Sequence, residues 1–373
     1  IRDRCFSNDP NLIAAEVERY FPGEIDGFLR LRRFLREYSE TSLDITGFQS
    51  SREVLAQFLR EPLLQDMLAC PVMYYGNAGE GDMELAQFAL IWKAIYESGF
   101  AMPRRGMRPV VELLVQRLQA AGGEIRLRTR VECLLAENGR IRAARLESGE
   151  EIAAAQFYSS AGKVETMRLC SDQPRDTLAA AEGKISVVEV IAILDCPPHA
   201  AGCEDTILFF NRAPRFRFCR PESEVGTESG VVCVPSNYSH EPPLDDRVVR
   251  FSALANYARW RELQTSAGAS AAERTRYFDA KKKAAADIFA AVGEFGLAVA
   301  KHATWFEVFT PLTIERYTGH VQGALYGTAQ KQRRGLTPYV NLFLLGADQG
   351  FLGIVGAMLS GITIANLYGL QPR

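Results

Sequence analysis

The chain of 373 residues is 47% hydrophobic and 24% charged, with a formal net charge of -2 at pH 7. Its basic and acidic residues are interspersed, so the sequence gives no support to a nucleic-acid-binding protein. The eight cysteines include no C-x-x-C pair and the four histidines lie far apart in sequence. This pattern argues against a zinc site and is typical of thiols in a reducing cytosol.

The first hundred residues have the spacing of amphipathic helices. Apolar side chains recur with the helical period, which predicts helices at residues 11–20, 24–38, 51–60 and 84–97. Four arginines of the second helix are predicted to form a solvated face, with contact to a membrane surface as the alternative: Arg30, Arg32, Arg33 and Arg36.

After Pro103 the pattern changes to one helix and several short strands. Residues 110–121 form a predicted amphipathic helix that ends at Gly122-Gly123. Strands are expected next at residues 124–131, running on to 135, and then at 140–146 and 152–160, with tight turns between them. The helix and its following strand fit a unit that joins a parallel sheet begun elsewhere.

Residues 185–309 are predicted to be rich in strand. Strands are expected at 185–194, 206–210, 230–235, 248–254 and 299–309, and a long helix at 271–292. In that helix Lys281, Lys282 and Lys283 are predicted to face the solvent. Trp305 is predicted to pack in the core rather than to contact a cofactor.

The end of the chain combines an apolar strand, a glycine-rich loop and an apolar helix. Residues 340–345 are almost all apolar, as expected for a strand covered on both faces. Residues 350–369 carry no charge and match the roughly 20 residues that span a bilayer. Because they include Ser360, Thr363 and Asn366, we predict a buried core helix instead.

The amino end of this last helix is the most informative place for chemistry. A helix start offers free N–H groups and a partial positive charge, and Gly350, Gly353 and Gly356 let a ligand approach it closely. Asp348 favours a hydroxyl as its neighbour, since a carboxylate repels a phosphate. These features describe the flavin end of an FAD site, although a purely structural turn fits the residues equally well.

Motifs along nearly the whole chain resemble those of phytoene desaturases, carotenoid isomerases and retinol saturases. They are Pro103-x-x-Gly-Met, Gly122-Gly-Glu-Ile, Thr129-Arg-Val131, Glu137-Asn-Gly, Ser148-Gly-Glu-x-Ile152, Tyr158-Ser-Ser-Ala-Gly162, Thr310-Pro-Leu-Thr, Arg316-Tyr-Thr-Gly-His320, Gly323-Ala-Leu-Tyr-Gly327, Leu345-Gly-Ala-Asp348 and Gly353-Ile-Val-Gly356-Ala-x-Leu-Ser-Gly361. The sequence departs from the family where Arg105 replaces a second glycine and Ala347 precedes the acid. The resemblance implies an FAD-dependent oxidoreductase.

The resemblance also implies roles for individual residues. Val131, at the end of its strand, matches the adenine contact, and Ser160 matches the strand end near the pyrophosphate. Asp348 matches an acid near the ribityl chain, and the N–H groups that follow Gly353 match those that face the flavin pyrimidine ring. The cofactor-binding residues implied in this way are Val131, Ser160, Ala161, Gly346, Asp348, Gly353, Ile354, Val355 and Gly356.

The fold implied by the resemblance is a mixed α/β (α+β) fold. It combines an incomplete FAD-binding Rossmann domain of the glutathione-reductase type with an inserted substrate domain of β-sheet plus helix. Residues 1–102 are expected to form a mostly helical substrate or lid domain and residues 166–322 a β-rich substrate domain. Residues 103–165 and 323–373 are expected to form the middle and C-terminal segments of the FAD-binding domain.

The first part of the family pattern does not occur in the sequence. The family begins with a strand, a G-x-G-x-x-G loop and a helix, a unit of ~30 residues, and no G-x-G-x-x-G occurs here. We therefore expect a fragment of a longer enzyme, which by itself binds FAD weakly or not at all and is inactive. A short homologue that has lost its cofactor is the alternative.

The expected function is the addition or removal of hydrogen at carbon–carbon bonds of an isoprenoid polyene held in an apolar channel. Tyr317, His320 and Tyr326 precede the flavin loop and are the candidates for catalysis. An amine-oxidase-like flavoenzyme with a polar substrate and a non-enzymatic homologue that holds an apolar ligand remain alternatives. We expect no metal and a cytoplasmic location, with peripheral membrane contact as an option.

Overall fold

The N-terminal part of the computed structural model is helical. The structure describes residues 5–7, 9–44, 47–173, 175–264 and 270–370. Its first helices are α1 Pro10–Tyr20, α2 Ile25–Glu37, α3 Ser51–Phe58, α4 Pro62–Tyr74 and α5 Leu85–Trp92. The helix start at Pro10 follows from Asp9, whose side chain accepts the Asn11 N–H at 2.9 Å. The four helices predicted for this part are confirmed.

A small antiparallel sheet follows a helix that buries none of its residues. The helix is α6 Arg108–Ala120. The sheet has three strands in the order β1-β2-β3: β1 Val131–Glu137, β2 Arg140–Leu146 and β3 Glu151–Ala153. Of the strand predicted for residues 124–131 and on to 135, only the part from Val131 forms, because Arg128 has a φ of 55° that interrupts extended backbone. Val131 therefore begins β1 instead of ending an earlier strand.

The largest sheet is antiparallel and has five strands in the order β6-β7-β8-β5-β9. Its strands are β5 Ser186–Leu194, β6 Ile207–Asn211, β7 Ser229–Cys233, β8 Val248–Ala255 and β9 Ala303–Phe309. Before the sheet come β4 Phe157–Ser159 and α7 Lys163–Leu169, and among and after its strands lie α8 Tyr257–Glu262, α9 Ala271–Gly293, α10 Val299–His302 and α11 Pro311–Thr318. The predicted strands are confirmed, except that the start of the last one is the short helix α10.

The central strands of this sheet lie between two helical layers, which explains why they are apolar on both faces. Val187 packs with the core of α1–α5, whereas its neighbours Val188 and Val190 pack with α9, as the alternation of side chains along a strand requires. Trp92 is fully buried in the first core and Trp260 in the second.

Three predictions about individual side chains are wrong. Arg32 is buried and its Nε donates to Glu97 at 2.9 Å, so it is not part of a solvated face. Lys281 pairs with Glu307 instead of facing the solvent. Trp305 is 51% exposed. It lies on the edge strand β9, in which the next residue, Phe306, contacts Phe289 of α9. Because side chains alternate along a strand, Trp305 points to the opposite face, which is not covered there.

The chain ends with β10 Leu342–Leu344 and α12 Gly353–Ile364. The strand is buried on both faces, as predicted. The prediction of a buried core helix is wrong, because only a stripe containing Gly356, Ser360 and Ile364 is buried, while Val355 is 70% exposed. Among the described helices none is long and apolar enough to cross a membrane.

Candidate functional site

Two strand–loop–helix units lie side by side at the end of the chain. Strands β4 and β10 are parallel, with Phe157 opposite Leu342 and Ser159 opposite Leu344. The Leu345 N–H extends the pairing by donating to the Ser159 carbonyl at 2.9 Å. Both strands therefore end at the same edge, and the loops that follow them lead into α7 and α12. In α/β sheets a ligand binds in the crevice beyond such carboxyl ends.

The amino end of α12 is open. Gly353 has a φ of 74°, and a Cβ built on it would meet no atom within 4 Å. Leu352, the residue before the helix, makes no side-chain cap bond, and Ile354 and Val355 are 52% and 70% exposed. The first N–H groups of α12 are thus accessible to a ligand with partial negative charge.

Asp348 joins the two loops. Its side chain is buried, its Oδ2 accepts the Lys163 N–H at 2.6 Å and its Oδ1 accepts the Thr328 N–H at 2.8 Å. Gly346 lies next to Ser160, whose Cβ is 3.8 Å from the position of a Cβ on Gly346. The carboxylate thus fixes the loop geometry, and in this conformation both of its oxygens are engaged by backbone N–H groups.

Lys331 is a buried cation beside this carboxylate. Its Nζ lies 3.7 Å from Asp348 Oδ1 and donates to the Tyr326 carbonyl at 2.7 Å, and its side chain is 6% exposed. Burial lowers the pKa of Lys331 to about 8, and Asp348 counteracts this effect. Lys331 also lines a cavity of about 30 Å³ together with Gln87, which is space for a water-sized molecule.

Within the part of the chain that the structure describes, two amide oxygens next to the glycine loop have no hydrogen-bond partner. Gln87 donates from Nε2 to the Gly350 carbonyl at 2.6 Å, but its Oε1 is buried and unpaired. The Oε1 atom of Gln349 is also buried and unpaired. Since buried polar atoms are normally satisfied, these two acceptors indicate that a donor belongs beside the loop.

His320 pairs with Glu165 of α7. The two atoms His320 Nδ1 and Glu165 Oε1 are 3.5 Å apart, and Glu165 Oε1 also accepts the Val321 N–H at 2.8 Å. The nearby carboxylate of Glu165 raises the pKa of His320. Burial alone would raise the pKa of Glu165, but the interaction with His320 and the hydrogen bond from the Val321 N–H outweigh burial and lower it.

The three candidates for catalysis have different surroundings. Tyr317 is 75% exposed on α11, and His320 lies against α7. Tyr326 is half-buried, and its hydroxyl donates to the Tyr74 carbonyl at 2.6 Å. Of the three, Tyr326 is the one that joins the Asp348 loop to the helical core, because Lys331 contacts its carbonyl.

An aromatic wall borders Tyr326. It consists of Phe6, Tyr75, Phe100 and Phe209, which are half-buried and pack against the same core as Tyr326. The ring of Tyr75 lies 5.1 Å from that of Phe100 and 5.5 Å from that of Phe209. Tyr75, which directly follows α4, thus joins Phe100 and Phe209 of β6 in one aromatic surface.

Sequence reasoning did not single out Lys331, Gln87 or Glu165 as site residues. Lys331 stands in a polar segment together with other basic residues and so has no distinguishing pattern. Gln87 lies 263 positions from its partner Gly350. Glu165 offered one signal, its position at the end of residues 103–165, the segment that was expected to belong to the FAD-binding domain.

The comparison with protein families decides the assignment. The model of flavin-containing amine oxidoreductases matches residues 9–214, more than half of the chain. The chain belongs to this family. Its cofactor is FAD, and as a member of this family the protein is an FAD-dependent oxidoreductase. None of the curated proteins compared with the chain matches it.

Solved structures show the same fold at low sequence identity. An oxidoreductase from Methanosarcina mazei has a TM-score of 0.57 at 13% identity, over 91% of this chain and 72% of that one. A protein from Pyrococcus furiosus has a TM-score of 0.53 at 14% identity, over 91% and 72%. A putrescine oxidase variant has a TM-score of 0.54 at 12% identity, over 93% and 76%.

The residues of this family member fit the flavin end of FAD. The open start of α12 at Gly353 suits the negative edge of the pyrimidine ring, and the unpaired Oε1 atoms of Gln87 and Gln349 suit a nearby donor. For the pyrophosphate the sequence offers no G-x-G-x-x-G loop. The fit therefore covers the flavin end, and the roles of Val131, Ser160 and Ala161 at the other end remain predictions.

Proposed function

We propose that this flavoprotein adds or removes hydrogen at carbon–carbon bonds of an isoprenoid polyene, as the resemblance to phytoene desaturases and retinol saturases implies. The observation that carries the proposal is the aromatic wall beside Tyr326, the residue that precedes the Asp348 loop. FAD supplies the hydride chemistry when bound. The protein's own residues hold the apolar chain in line with the cofactor and exclude water.

The charges near the wall support an apolar substrate over an amine. Burial raises the pKa of Tyr75, and the hydroxyl of Tyr75 lies 3.6 Å from the Cys233 sulfur. An ammonium substrate favours a carboxylate within contact distance, whereas the four side chains of the wall are phenylalanines and a tyrosine, which are neutral at pH 7. Aromatic and aliphatic surface of this kind is suited to a conjugated hydrocarbon.

We further propose roles for the loop residues when FAD is bound. The N–H groups of Ile354, Val355 and Gly356 hold the pyrimidine edge, and Lys331 with Asp348 keeps the loop in place. A buried ion pair with backbone hydrogen bonds is well suited to this task, because it favours one loop conformation over others.

We propose that the exposed apolar side chains of α6 and those of α12 pack against a further strand–helix unit of a longer polypeptide. They include Val111 and Leu114 of α6, which are 55% and 45% exposed, and Val355 of α12, which is 70% exposed. A patch of exposed apolar side chains marks a contact site. The lengths of the similar structures support the proposal, since the chain spans 72% of the Methanosarcina mazei oxidoreductase.

A substrate panel tests the proposed function. The protein, expressed with whatever native sequence flanks it and loaded with FAD, is mixed anaerobically with a C40 polyene, with retinol or with putrescine. The visible absorbance of the flavin is followed once from oxidised FAD, which removal of hydrogen from the substrate reduces, and once from chemically reduced FAD, which addition of hydrogen to the substrate reoxidises. We expect changes with a polyene, and we expect Phe209→Asp to abolish them while Phe278→Asp, at a position that is 55% exposed outside the wall, leaves them intact. Reduction by putrescine alone would favour the amine-oxidase alternative. Polyene binding without flavin would favour the non-enzymatic one.

A further inference from the structure

Residues from two neighbouring strands bring a carboxylate, a thiol and an imidazole together at one end of the large sheet. Asp195 and Cys196 directly follow β5, and His302 ends α10 just before β9. Because β5 and β9 are antiparallel neighbours with Leu194 opposite Ala303, the end of one strand meets the start of the other.

The three side chains converge rather than merely lie in the same region. One ligand atom from each of Asp195, Cys196 and His302 lies within 4.8 Å of the other two. His302 Nδ1 is 2.8 Å from Asp195 Oδ1. The backbone holds this pair, since the Asp195 N–H donates to the His302 carbonyl at 2.9 Å and Arg247 Nη1 donates to the Asp195 carbonyl at 2.9 Å.

We propose that Asp195, Cys196 and His302 bind a zinc-type divalent cation. Sulfur, imidazole nitrogen and carboxylate oxygen are the three donor types of zinc sites in proteins, and the thiolate disfavours magnesium and calcium. From zinc–ligand bond lengths, the donor atoms of a tetrahedral site lie about 3.3–3.8 Å apart. The three side chains therefore reach this geometry by moving roughly an ångström.

The proposed site is separate from the flavin loop. The beginning of β5 contacts the segment before Asp348, because Ser186 Oγ donates to the Gly323 carbonyl at 2.8 Å. The cluster follows the other end of the same nine-residue strand, which at ~3.3 Å per residue places it roughly 30 Å away. The ion thus serves to fasten the ends of β5 and β9, with one position left for water.

A titration of the apo protein with zinc, read out by competition with a chromophoric chelator, tests the proposal. We expect one zinc ion per chain. We expect Cys196→Ser and His302→Gln each to weaken binding by at least about tenfold. Cys219→Ser is the matched control, since Cys219 is an exposed free cysteine, and it should leave binding unchanged.

A second measurement keeps the proposal testable if a variant is less stable. Cobalt(II) in the same site should give a thiolate-to-cobalt charge-transfer band in the wild type and in Cys219→Ser, but not in Cys196→Ser. Circular dichroism establishes that each variant is folded. The proposal is overturned if the wild type binds no zinc at micromolar concentration, or if Cys196→Ser and His302→Gln bind it as tightly as the wild type.

Discussion

The carboxylate of Asp348 occupies the space that a side chain on residue 327 would need. A Cβ on Gly327 would lie 2.0 Å from Asp348 Oδ1, and Gly327 has a φ of 67°. Two physical constraints thus favour glycine at position 327 of the Gly323-Ala-Leu-Tyr-Gly327 motif. The backbone is left-handed there, and a carboxylate held by two backbone N–H groups approaches closely.

Gly327→Ala should therefore destabilise the protein by about 3 kcal/mol, from about 1–2 kcal/mol of left-handed strain and the rest from the contact with Asp348. Gly319→Ala is the control, because Gly319 has a φ of 77° but open space around a Cβ. It should cost only the strain of about 1–2 kcal/mol. Urea unfolding of both variants measures the difference, and equal losses would contradict the contact.

The low pKa of Lys331 predicts that its contribution to stability grows in mildly alkaline solution. The folded pKa is about 8 and the ordinary value is 10.5, so between these values Lys331 binds a proton in the unfolded chain that it does not bind in the folded chain. The contribution of Lys331 to the free energy of unfolding therefore increases with pH in this range. Lys331→Met should lower the slope of the free energy of unfolding against pH, measured by urea unfolding, whereas Lys282→Met, at an exposed position, should keep the slope of the wild type. An unchanged slope in Lys331→Met contradicts the prediction.

The pair of His320 and Glu165 predicts the opposite trend at lower pH. The raised pKa of His320 means that its contribution to stability is fully present below the ordinary value of 6.5 and is lost as pH rises through the folded pKa. The lowered pKa of Glu165 means that its contribution is present above 4.5 and lost as pH falls through its folded pKa. His320→Gln should abolish the loss of stability above about pH 6.5. NMR titration of the His320 ring should show a lower pKa in Glu165→Gln, and an unchanged value would exclude the pairing.

Two tryptophans should respond very differently to truncation. Trp260 is fully buried and its Nε1 donates to the Glu224 carbonyl at 2.9 Å, so Trp260→Ala should cost about 3–5 kcal/mol. Trp305 is 51% exposed on an edge strand, so Trp305→Ala should change stability by about 0.5 kcal/mol or less. Thermal unfolding of the two variants gives the comparison, and a large loss in Trp305→Ala would restore the core assignment made from sequence.

Local patterns predicted the elements whose environment is uniform. The four helices predicted in the first hundred residues, the strands of the large sheet and the apolar strand β10 are confirmed, because the period of the apolar residues reports directly on which faces are covered. Helix α4, Pro62–Tyr74, was not predicted. The same reasoning misplaced Trp305, Arg32 and the last helix. Hydrophobicity and charge alone do not say whether another element packs against a particular face. In an edge strand or a half-covered helix, the presence of that element decides whether a side chain is buried or exposed.

By itself the sequence determined the elements, the glycine-lined start of α12 and the resemblance to a flavin-dependent family, since these depend on short spacings and on motifs in order. Tertiary structure alone decided which distant groups meet. Gln87 bonds to Gly350, Glu165 to the turn at Val321 and Asp195 to His302, across 263, 156 and 107 positions. Such pairings depend on how strands and helices pack against each other, and local sequence patterns do not predict this packing.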